Sequence, residues 1–152
     1  MNVECFSCAQ EASGPLPVRE NIWTEPGWRV AHAFNSSLAG WLVLLPTRHV
    51  ESVDELSARE SEDLGSLLRQ SSRALKSVTG CAKTYIMMFA EAEGFSHLHF
   101  HVVPRMSDLP EDRRGANVFA YLKEDPLSEV RRDEISTQLK DAFETQRLDS
   151  ET

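Results

Sequence analysis

Four short stretches of alternating or continuous apolar residues predict β-strands. "WRVAHAF" (28–34) alternates, and "GWLVLLPTRHV" (40–50) is a nearly continuous apolar run of strand length between Gly40 and Pro46. These two neighbours are expected to pair. "KTYIMMFA" (83–90) and "HLHFHVVPR" (97–105) predict two further strands on either side of the acidic loop "EAEG".

Apolar residues at three-and-four spacing predict one long amphipathic helix between the second and third of these strands. Ser52 and Glu55 have the spacing of a capping box at its start, and Gly80 marks its end. The residues that keep the spacing are Leu56, Leu64, Leu67, Leu68, Ser71, Leu75 and Val78.

The chain becomes polar and charged after Pro104. Residues 106–127 are predicted to be irregular apart from the short "NVFAYL", and "EVRRDEISTQLKDAFETQ" predicts a surface helix. No repeat or linker is visible. The sequence therefore predicts a single domain over 1–152, in which 106–152 form a charged, partly irregular and helical C-terminal extension.

Charge and cysteine content narrow the class of protein. A formal net charge of -8 argues against binding to nucleic acid or to an anionic membrane, since both require a basic surface. No apolar run approaches the roughly 20 residues of a membrane span, and the start lacks an export pattern. Three cysteines are then expected to be thiols or metal ligands in a cytoplasmic protein, with Cys81 a small core residue.

Three of the five histidines lie at two-residue spacing in "HLHFHVVPR". In a strand, His97, His99 and His101 would share one face, which is expected to line a cleft, while the intervening apolar residues face the core. At about 3.3 Å per residue, neighbouring histidines would be roughly 7 Å apart and the outer pair roughly 13 Å. Zinc needs each nitrogen at about 2.0 to 2.1 Å, so at least one histidine has another role.

A second candidate site lies in "CFSC" near the start of the chain. The spacing of Cys5 and Cys8 lets both thiolates reach one tetrahedral ion, but a lone pair of cysteines is only half a zinc site. Histidine is the best complement, and His49 and His97 are the natural candidates. The alternative is two reduced thiols without a metal.

The histidine stretch resembles the signature of the histidine triad family, and "GWLVLLPTRHV" followed by a long helix resembles that family's upstream strand and helix. The resemblance runs from Cys5 to about Arg105. It implies an α+β fold, with an antiparallel sheet of about five strands, one long helix and a C-terminal helix. It also implies a homodimer that acts on nucleotides at the α-phosphate.

The resemblance assigns roles to individual residues. It implies a structural zinc held by Cys5, Cys8, His49 and His97. It implies that His99 is the nucleophile and that His101 contacts the phosphate. An uncharged imidazole is available as a nucleophile near pH 7 without a strong external base, which fits this role.

Substrate contacts are predicted at Asn35 for the ribose hydroxyls and at Ser96 and His101 for the phosphate. Trp41 stands where many family members have a histidine, and it is predicted to form an aromatic wall against the base, with burial in the core as the alternative. The amide side chain that serves the leaving group in relatives is missing. Glu91 or Glu93 is a candidate replacement, and Arg105 is either a phosphate contact or a surface charge.

The predicted function is hydrolysis at the α-phosphate of a nucleotide, taken as a purine nucleotide, through a covalent nucleotidyl-histidine. The substrate is expected to be a nucleoside phosphoramidate or a dinucleoside polyphosphate. The alternatives are a nucleotidyltransferase or phosphorylase, a zinc-stabilised nucleotide-binding module without catalysis, and a metallohydrolase that uses the triad as ligands.

Overall fold

A computed structural model describes residues 5–150 and contains one antiparallel sheet of five strands in the order β1-β2-β3-β5-β4. The strands are β1 Trp23–Glu25, β2 Trp28–His32, β3 Leu42–Pro46, β4 Lys83–Met87 and β5 Phe100–Arg105. The α-helices are α1 Phe6–Ala12, α2 Ala58–Thr79 and α3 Glu129–Ser150. The predicted α+β class, the pairing of the second and third strands and the two long helices are confirmed.

Helix α2 begins later than the sequence predicted. Its N-cap is Ser57, whose side chain accepts a hydrogen bond from the Glu60 amide while the Glu60 side chain accepts one from the Ser57 amide. The predicted capping box of Ser52 and Glu55 is wrong, because Val53–Glu55 form a separate 3-10 turn that ends at Leu56. Both pairs have the spacing of a capping box, and only the second pair leads directly into the amphipathic helix. The helix ends, as predicted, at the left-handed Gly80.

One face of the sheet forms the main core against α2 and α3. Alternate strand residues point to this face, as the period of a strand requires. The Trp23 ring stacks on Phe143 of α3 with ring centroids 5.4 Å apart. The fully buried members of this cluster include Ile22, Trp28, Val30, Leu42, Leu44, Leu67, Leu75, Leu98, Val102, Leu139 and Phe143.

The opposite face of the sheet is covered in part by the segment after β5. A 3-10 helix, Gly115–Leu122, places Val118 against Trp41 and Val103 in a second, smaller apolar cluster. This is the "NVFAYL" stretch in a region otherwise predicted to be irregular. The rest of this face is left open around the histidines.

Strand β5 begins at Phe100, so the predicted row of three histidines in one regular strand is wrong. Only His101 belongs to the strand, and His97 and His99 lie in the segment that enters it. The Leu98 amide donates to the carbonyl of Val50, which lies beyond the end of β3, so it bonds outside the sheet ladder. Leu98 is still buried in the main core, so the predicted apolar side is retained.

The loop between β2 and β3 is closed by a buried histidine. His32 is 1% exposed, its Nδ1 donates to the Ala33 carbonyl at 2.9 Å, and its Nε2 accepts from the Gly40 amide at 3.0 Å. Gly40 has φ +91°, and a Cβ there would lie 3.2 Å from Leu75 and 3.3 Å from Pro104. The left-handed backbone therefore favours glycine, and a Cβ would crowd both side chains.

Among the described residues, no helix is both long and apolar enough to cross a membrane.

We expect His32 to make stability depend on pH. Burial lowers the pKa of His32 to about 4, below the usual 6.5, so protonation favours the unfolded chain. The stabilisation from an uncharged His32 is complete above pH 6.5 and is lost as the pH falls toward 4. At pH 5 the loss is about 2 kcal/mol. Denaturant unfolding at pH 7.5 and pH 5 should show a smaller difference for His32→Gln than for the parent. An equal pH effect in both proteins would contradict this assignment.

Candidate metal centre and active site

Four potential metal ligands meet beside the first part of β5. Cys5, Cys8, His49 and His97 each offer one ligand atom, and these atoms all lie within 4.8 Å of one another. The His97 Nδ1 is 3.6 Å from the sulfur of Cys5 and 3.6 Å from that of Cys8, and the His49 Nδ1 is 3.3 Å from the sulfur of Cys8. The residues that the sequence suggested are therefore brought together.

Hydrogen bonds orient the two histidines of this cluster. The Nε2 of His97 donates to the Pro46 carbonyl at 2.7 Å, which leaves the Nδ1 lone pair directed at the cysteines. Burial lowers the pKa of His97, so its ring is uncharged as a metal ligand must be. The Nε2 of His49 lies 3.5 Å from a Glu51 carboxylate oxygen, which also accepts a hydrogen bond from Ser96.

The short helix α1 carries the cysteines to this place. Cys5 is its N-cap and accepts a hydrogen bond from the Cys8 amide at 3.4 Å. A second anchor holds the other end of the helix, where buried Arg29 forms an ion pair with Glu11 at 2.6 Å and also bonds to the carbonyl of Glu20. Both cysteines are 5% exposed.

This donor set fits a structural zinc ion. Two thiolates and two imidazoles complete a closed tetrahedral site, and the second nitrogen of each histidine faces an oxygen, as is typical of metal-bound histidine. Within residues 5–150 it is the only group of three or more such side chains, and it contains just one histidine of the triad. A metallohydrolase that uses all three triad histidines as ligands is therefore not supported.

The hydrogen bonding of His99 leaves one ring nitrogen unused. Its Nδ1 lies 2.8 Å from the His97 carbonyl oxygen, which can only accept, so Nδ1 carries the proton. In the uncharged ring, Nε2 then holds the lone pair. His99 is half-buried and lines an open cavity.

His101 is held in the opposite tautomer by Trp41. The indole N–H of Trp41 donates to the His101 Nδ1 at 3.0 Å, so the proton of the uncharged His101 ring is on Nε2. Burial lowers the pKa of His101 to about 3, and the nearby His99 shifts it in the same direction. The ring centroids of His99 and His101 are 5.0 Å apart. The pair thus combines a lone pair on one ring with an N–H donor on the next.

The cavity over these histidines has a volume of about 740 Å³. Five of the seven phenylalanines of the chain line it: Phe6, Phe34, Phe89, Phe95 and Phe119. They form two clusters of rings, the aromatic walls of the cavity. Phe6, Phe34 and Phe95 form one cluster with ring centroids 5.2 to 5.9 Å apart, and Phe89 and Phe119 form the second with centroids 5.5 Å apart. A largely apolar cavity of this size with a few polar groups is typical of a small-molecule site.

The structure separates the predicted substrate residues into two groups. Asn35, His99 and His101 line the cavity, as does Glu91. Trp41 is 0% exposed beneath His101, so it corresponds to the buried alternative and cannot form a wall against a base.

Two other predicted contacts lie outside the cavity lining. Ser96 donates to Glu51 on the metal side, and Arg105 donates to the carbonyl of Met106. Sequence reasoning missed Phe119 and Lys123 of the cavity lining. The apolar run "NVFAYL" inside a charged segment was the available signal for the first.

We expect the purified protein to contain about one zinc ion per chain. The Cys5→Ser, Cys8→Ser double variant should lose it, because two neutral hydroxyls are poor zinc ligands. Its free energy of unfolding should fall by about 2.7 kcal/mol or more, the effect of losing a ligand present at a hundred times its Kd. Metal analysis and denaturant unfolding measure both effects. Cys81→Ser is the control and should retain zinc. Full retention of zinc in the double variant would contradict the site.

No protein-family model matches the chain, and no curated protein matches its sequence. Solved structures do match. A protein from Sulfolobus tokodaii described as a hypothetical histidine triad nucleotide-binding protein has a TM-score of 0.73 at 13% identity, over 94% of each chain. A Zn-bound histidine triad family protein from Mycobacterium smegmatis has a TM-score of 0.70 at 18% identity, over 97% of each chain.

A uridylyltransferase also matches, with a TM-score of 0.63 and 19% identity, over 93% of this chain and 45% of the other. Two further matching structures are named histidine triad proteins, and a third is named a Hit-like protein. The chain therefore has the fold of the histidine triad proteins.

Proposed function

We propose that this protein hydrolyses a nucleotide at its α-phosphate through a covalent intermediate on His99. The proposed substrate is a purine nucleoside phosphoramidate or a dinucleoside polyphosphate. In the first step the Nε2 of His99 forms a bond to phosphorus as the bond to the leaving group breaks. In the second step water attacks phosphorus, the bond to His99 breaks, and a nucleoside monophosphate is released.

The observation that carries this proposal is the tautomer of His99. The His97 carbonyl holds the proton of the uncharged ring on Nδ1, so the lone pair that would attack phosphorus is on Nε2. His99 is also the triad residue that neither binds the metal cluster nor accepts a hydrogen bond from Trp41. A binding module has no need for a nucleophile prepared in this way.

The proposed role of His101 is to stabilise charge on the phosphate. Its Nε2–H is a donor beside the His99 ring, and its low pKa keeps the ring uncharged at physiological pH. A donor of fixed orientation in an apolar cavity stabilises developing charge better than the same donor in water. Trp41 is then a positioning residue, since its indole N–H selects this tautomer.

The aromatic walls fit the base and the sugar of a nucleotide. Phenylalanine rings offer flat apolar surfaces for a nucleobase. Asn35 is the half-buried polar residue of the β2–β3 loop in the cavity, and we propose that it binds the ribose hydroxyls.

The second candidate is a nucleotidyl transfer in which phosphate or a sugar phosphate replaces water as the acceptor. The specific observation in its favour is the likeness to a structure named as a uridylyltransferase. The first step would be the same for both reactions. Analysis of the products with and without added phosphate distinguishes them, because a transferase forms a new phosphoric anhydride.

We expect His99→Ala to lower turnover by at least about 10²-fold, because it removes the covalent route. Intact-mass spectrometry after rapid quenching should detect a nucleotidyl adduct on the parent protein and none on the variant. Added imidazole should partly restore turnover to His99→Gly. Turnover near the parental rate in His99→Ala would contradict the mechanism.

Trp41→Phe is the matched comparison for this experiment. It keeps an aromatic ring but removes the N–H donor to His101, and we expect turnover to fall by about tenfold, the equivalent of losing one hydrogen bond of about 1.4 kcal/mol. The adduct on His99 should still form, only more slowly. An unchanged rate in Trp41→Phe would remove the proposed role of the His101 tautomer and leave the role of His99 intact.

The resemblance also predicts a homodimer, and we retain this as part of the proposal. Strand β4 lies at the edge of the sheet, and Ile86 on it is 49% exposed. An unpaired edge with an apolar side chain is a natural site for a second copy of the chain. Light scattering should give twice the mass of the chain, and a single-chain mass at all concentrations would contradict the dimer.

The single domain over 1–152 and the cytoplasmic location stay predictions from the sequence.

A further inference from the structure

The cavity over the histidines has a polar end that the proposed reaction does not use. Gln10 of α1 and Glu20, the last residue of a 3-10 turn, both line the cavity and are half-buried. The Gln10 Nε2 donates a hydrogen bond to the Glu20 Oε2 at 3.0 Å. An amide and a carboxylate thus lie side by side in a largely apolar cavity.

Buried Arg29 fixes the orientation of the Gln10 amide. The Arg29 Nη2 donates to the Gln10 Oε1 at 3.3 Å, and a guanidinium can only donate, so Gln10 presents its Nε2 to Glu20. The other contacts of Arg29 go to the Glu11 carboxylate and to the Glu20 backbone carbonyl. Among residues 5–150, no cation forms an ion pair with the Glu20 carboxylate.

Both members of this pair keep bonding capacity for a ligand. The amide nitrogen of Gln10 carries two hydrogens and uses one of them on Glu20. The Glu20 Oε1 accepts no hydrogen bond from the described residues, and its Oε2 accepts only the one from Gln10. The polar end therefore presents one N–H donor next to two acceptor oxygens.

This polar end lies across the sheet from the proposed nucleophile. Arg29 of β2 pairs with Leu45 of β3, and the adjacent Leu44 pairs with Phe100, which follows His99. Two strand spacings of about 4.8 Å, or roughly 10 Å, thus separate β2 from the segment of His99. A nucleotide has a similar span from its α-phosphate to the far edge of its base. Strands β3 and β5 lie between β2 and the β4 edge on which we place the second copy of the chain.

The residues between the two ends suit a sugar and a base. The Phe34 ring, next to Asn35, lies 5.2 Å from the Phe6 ring between centroids. Phe6 and Gln10 are four residues apart on α1, so their side chains lie on the same side of the helix. A ribose bound at Asn35 would place its base against Phe6 and the edge of the base toward Gln10. A carboxylate at that end suits N–H groups and not the phosphate, which it would repel.

We propose that Gln10 and Glu20 bind the base of the substrate and select guanine. The inference rests on the function proposed above, which supplies the nucleotide. The Watson–Crick edge of guanine presents in order the O6 acceptor, the N1–H donor and the N2–H donor. The free N–H of Gln10 donates to O6, and the two oxygens of Glu20 accept from N1–H and N2–H.

Other purines match this pattern less well. Adenine presents one donor, N6–H, beside one acceptor, N1, so it forms at most two of these bonds. Hypoxanthine has O6 and N1–H but no N2 amino group. Both bases leave one oxygen of Glu20 without a partner, and hydrogen bonds to a charged acceptor are stronger than those between neutral groups.

The test is a calorimetric titration of the full chain with GMP, IMP and AMP. The parent should bind GMP at least about tenfold more tightly than AMP, and IMP more weakly than GMP. Glu20→Gln should lower the ratio of the AMP Kd to the GMP Kd by about tenfold, because an amide N–H replaces one acceptor oxygen. The ratio is taken within one protein, so a general loosening of α1 affects both nucleotides and cancels.

Glu62→Gln is the control, because it removes the same charge at an exposed position of α2 outside the cavity lining. It should keep the parental ratio, and an equal loss of the ratio in both variants would overturn the inference. Equal affinity of the parent for GMP, IMP and AMP would overturn it without any variant, and would leave the role of His99 intact. Absence of binding by all three nucleotides would overturn both this inference and the proposed function.

Discussion

His97 joins the metal cluster to the proposed nucleophile through two separate parts of one residue. Its ring is fixed by the Pro46 carbonyl and presents a nitrogen to the cysteines, while its own backbone carbonyl accepts the proton of His99. The position of that carbonyl determines the tautomer and the orientation of the His99 ring. A structural metal at this place therefore bears directly on the chemistry, although it lies outside the cavity.

The two faces of the sheet have different roles: one forms the core and the other lines the cavity. Helices α2 and α3 cover one face with a continuous apolar core, so the alternate residues of β2, β3 and β5 are free to line the other. On that face, Phe119 lies 5.0 Å from the His101 ring and 5.5 Å from the Trp41 ring between their centroids. The segment after β5, which the sequence presented as an extension, thereby becomes a wall of the site.

Much of the fold and of the metal site could be predicted from the sequence because it depends on local patterns. Strand alternation, the glycine that ends α2 and the cysteine spacing need only a few neighbouring residues to be recognised. The start of α2 was wrong because Ser52-Val-Asp-Glu55 and Ser57-Ala-Arg-Glu60 have the same local chemistry. The regular row of histidines was wrong because β5 starts only at Phe100, and the segment before it bonds to a residue distant in sequence, Leu98 to Val50. The tautomers depend on Trp41 and on backbone carbonyls, whose positions no local pattern shows.

Gly40 sets a limit on how this site can vary among related sequences. Its left-handed backbone is strained for any other residue, a Cβ would crowd Leu75 and Pro104, and Trp41 follows it directly. The backbone that delivers the indole to His101 is therefore fixed at one end. Substitutions that reshape the cavity are therefore expected at the phenylalanines that line it and not at the Gly40–Trp41 turn beneath the histidines. Laboratory evolution of a new specificity would accordingly sample the loops and leave this turn unchanged.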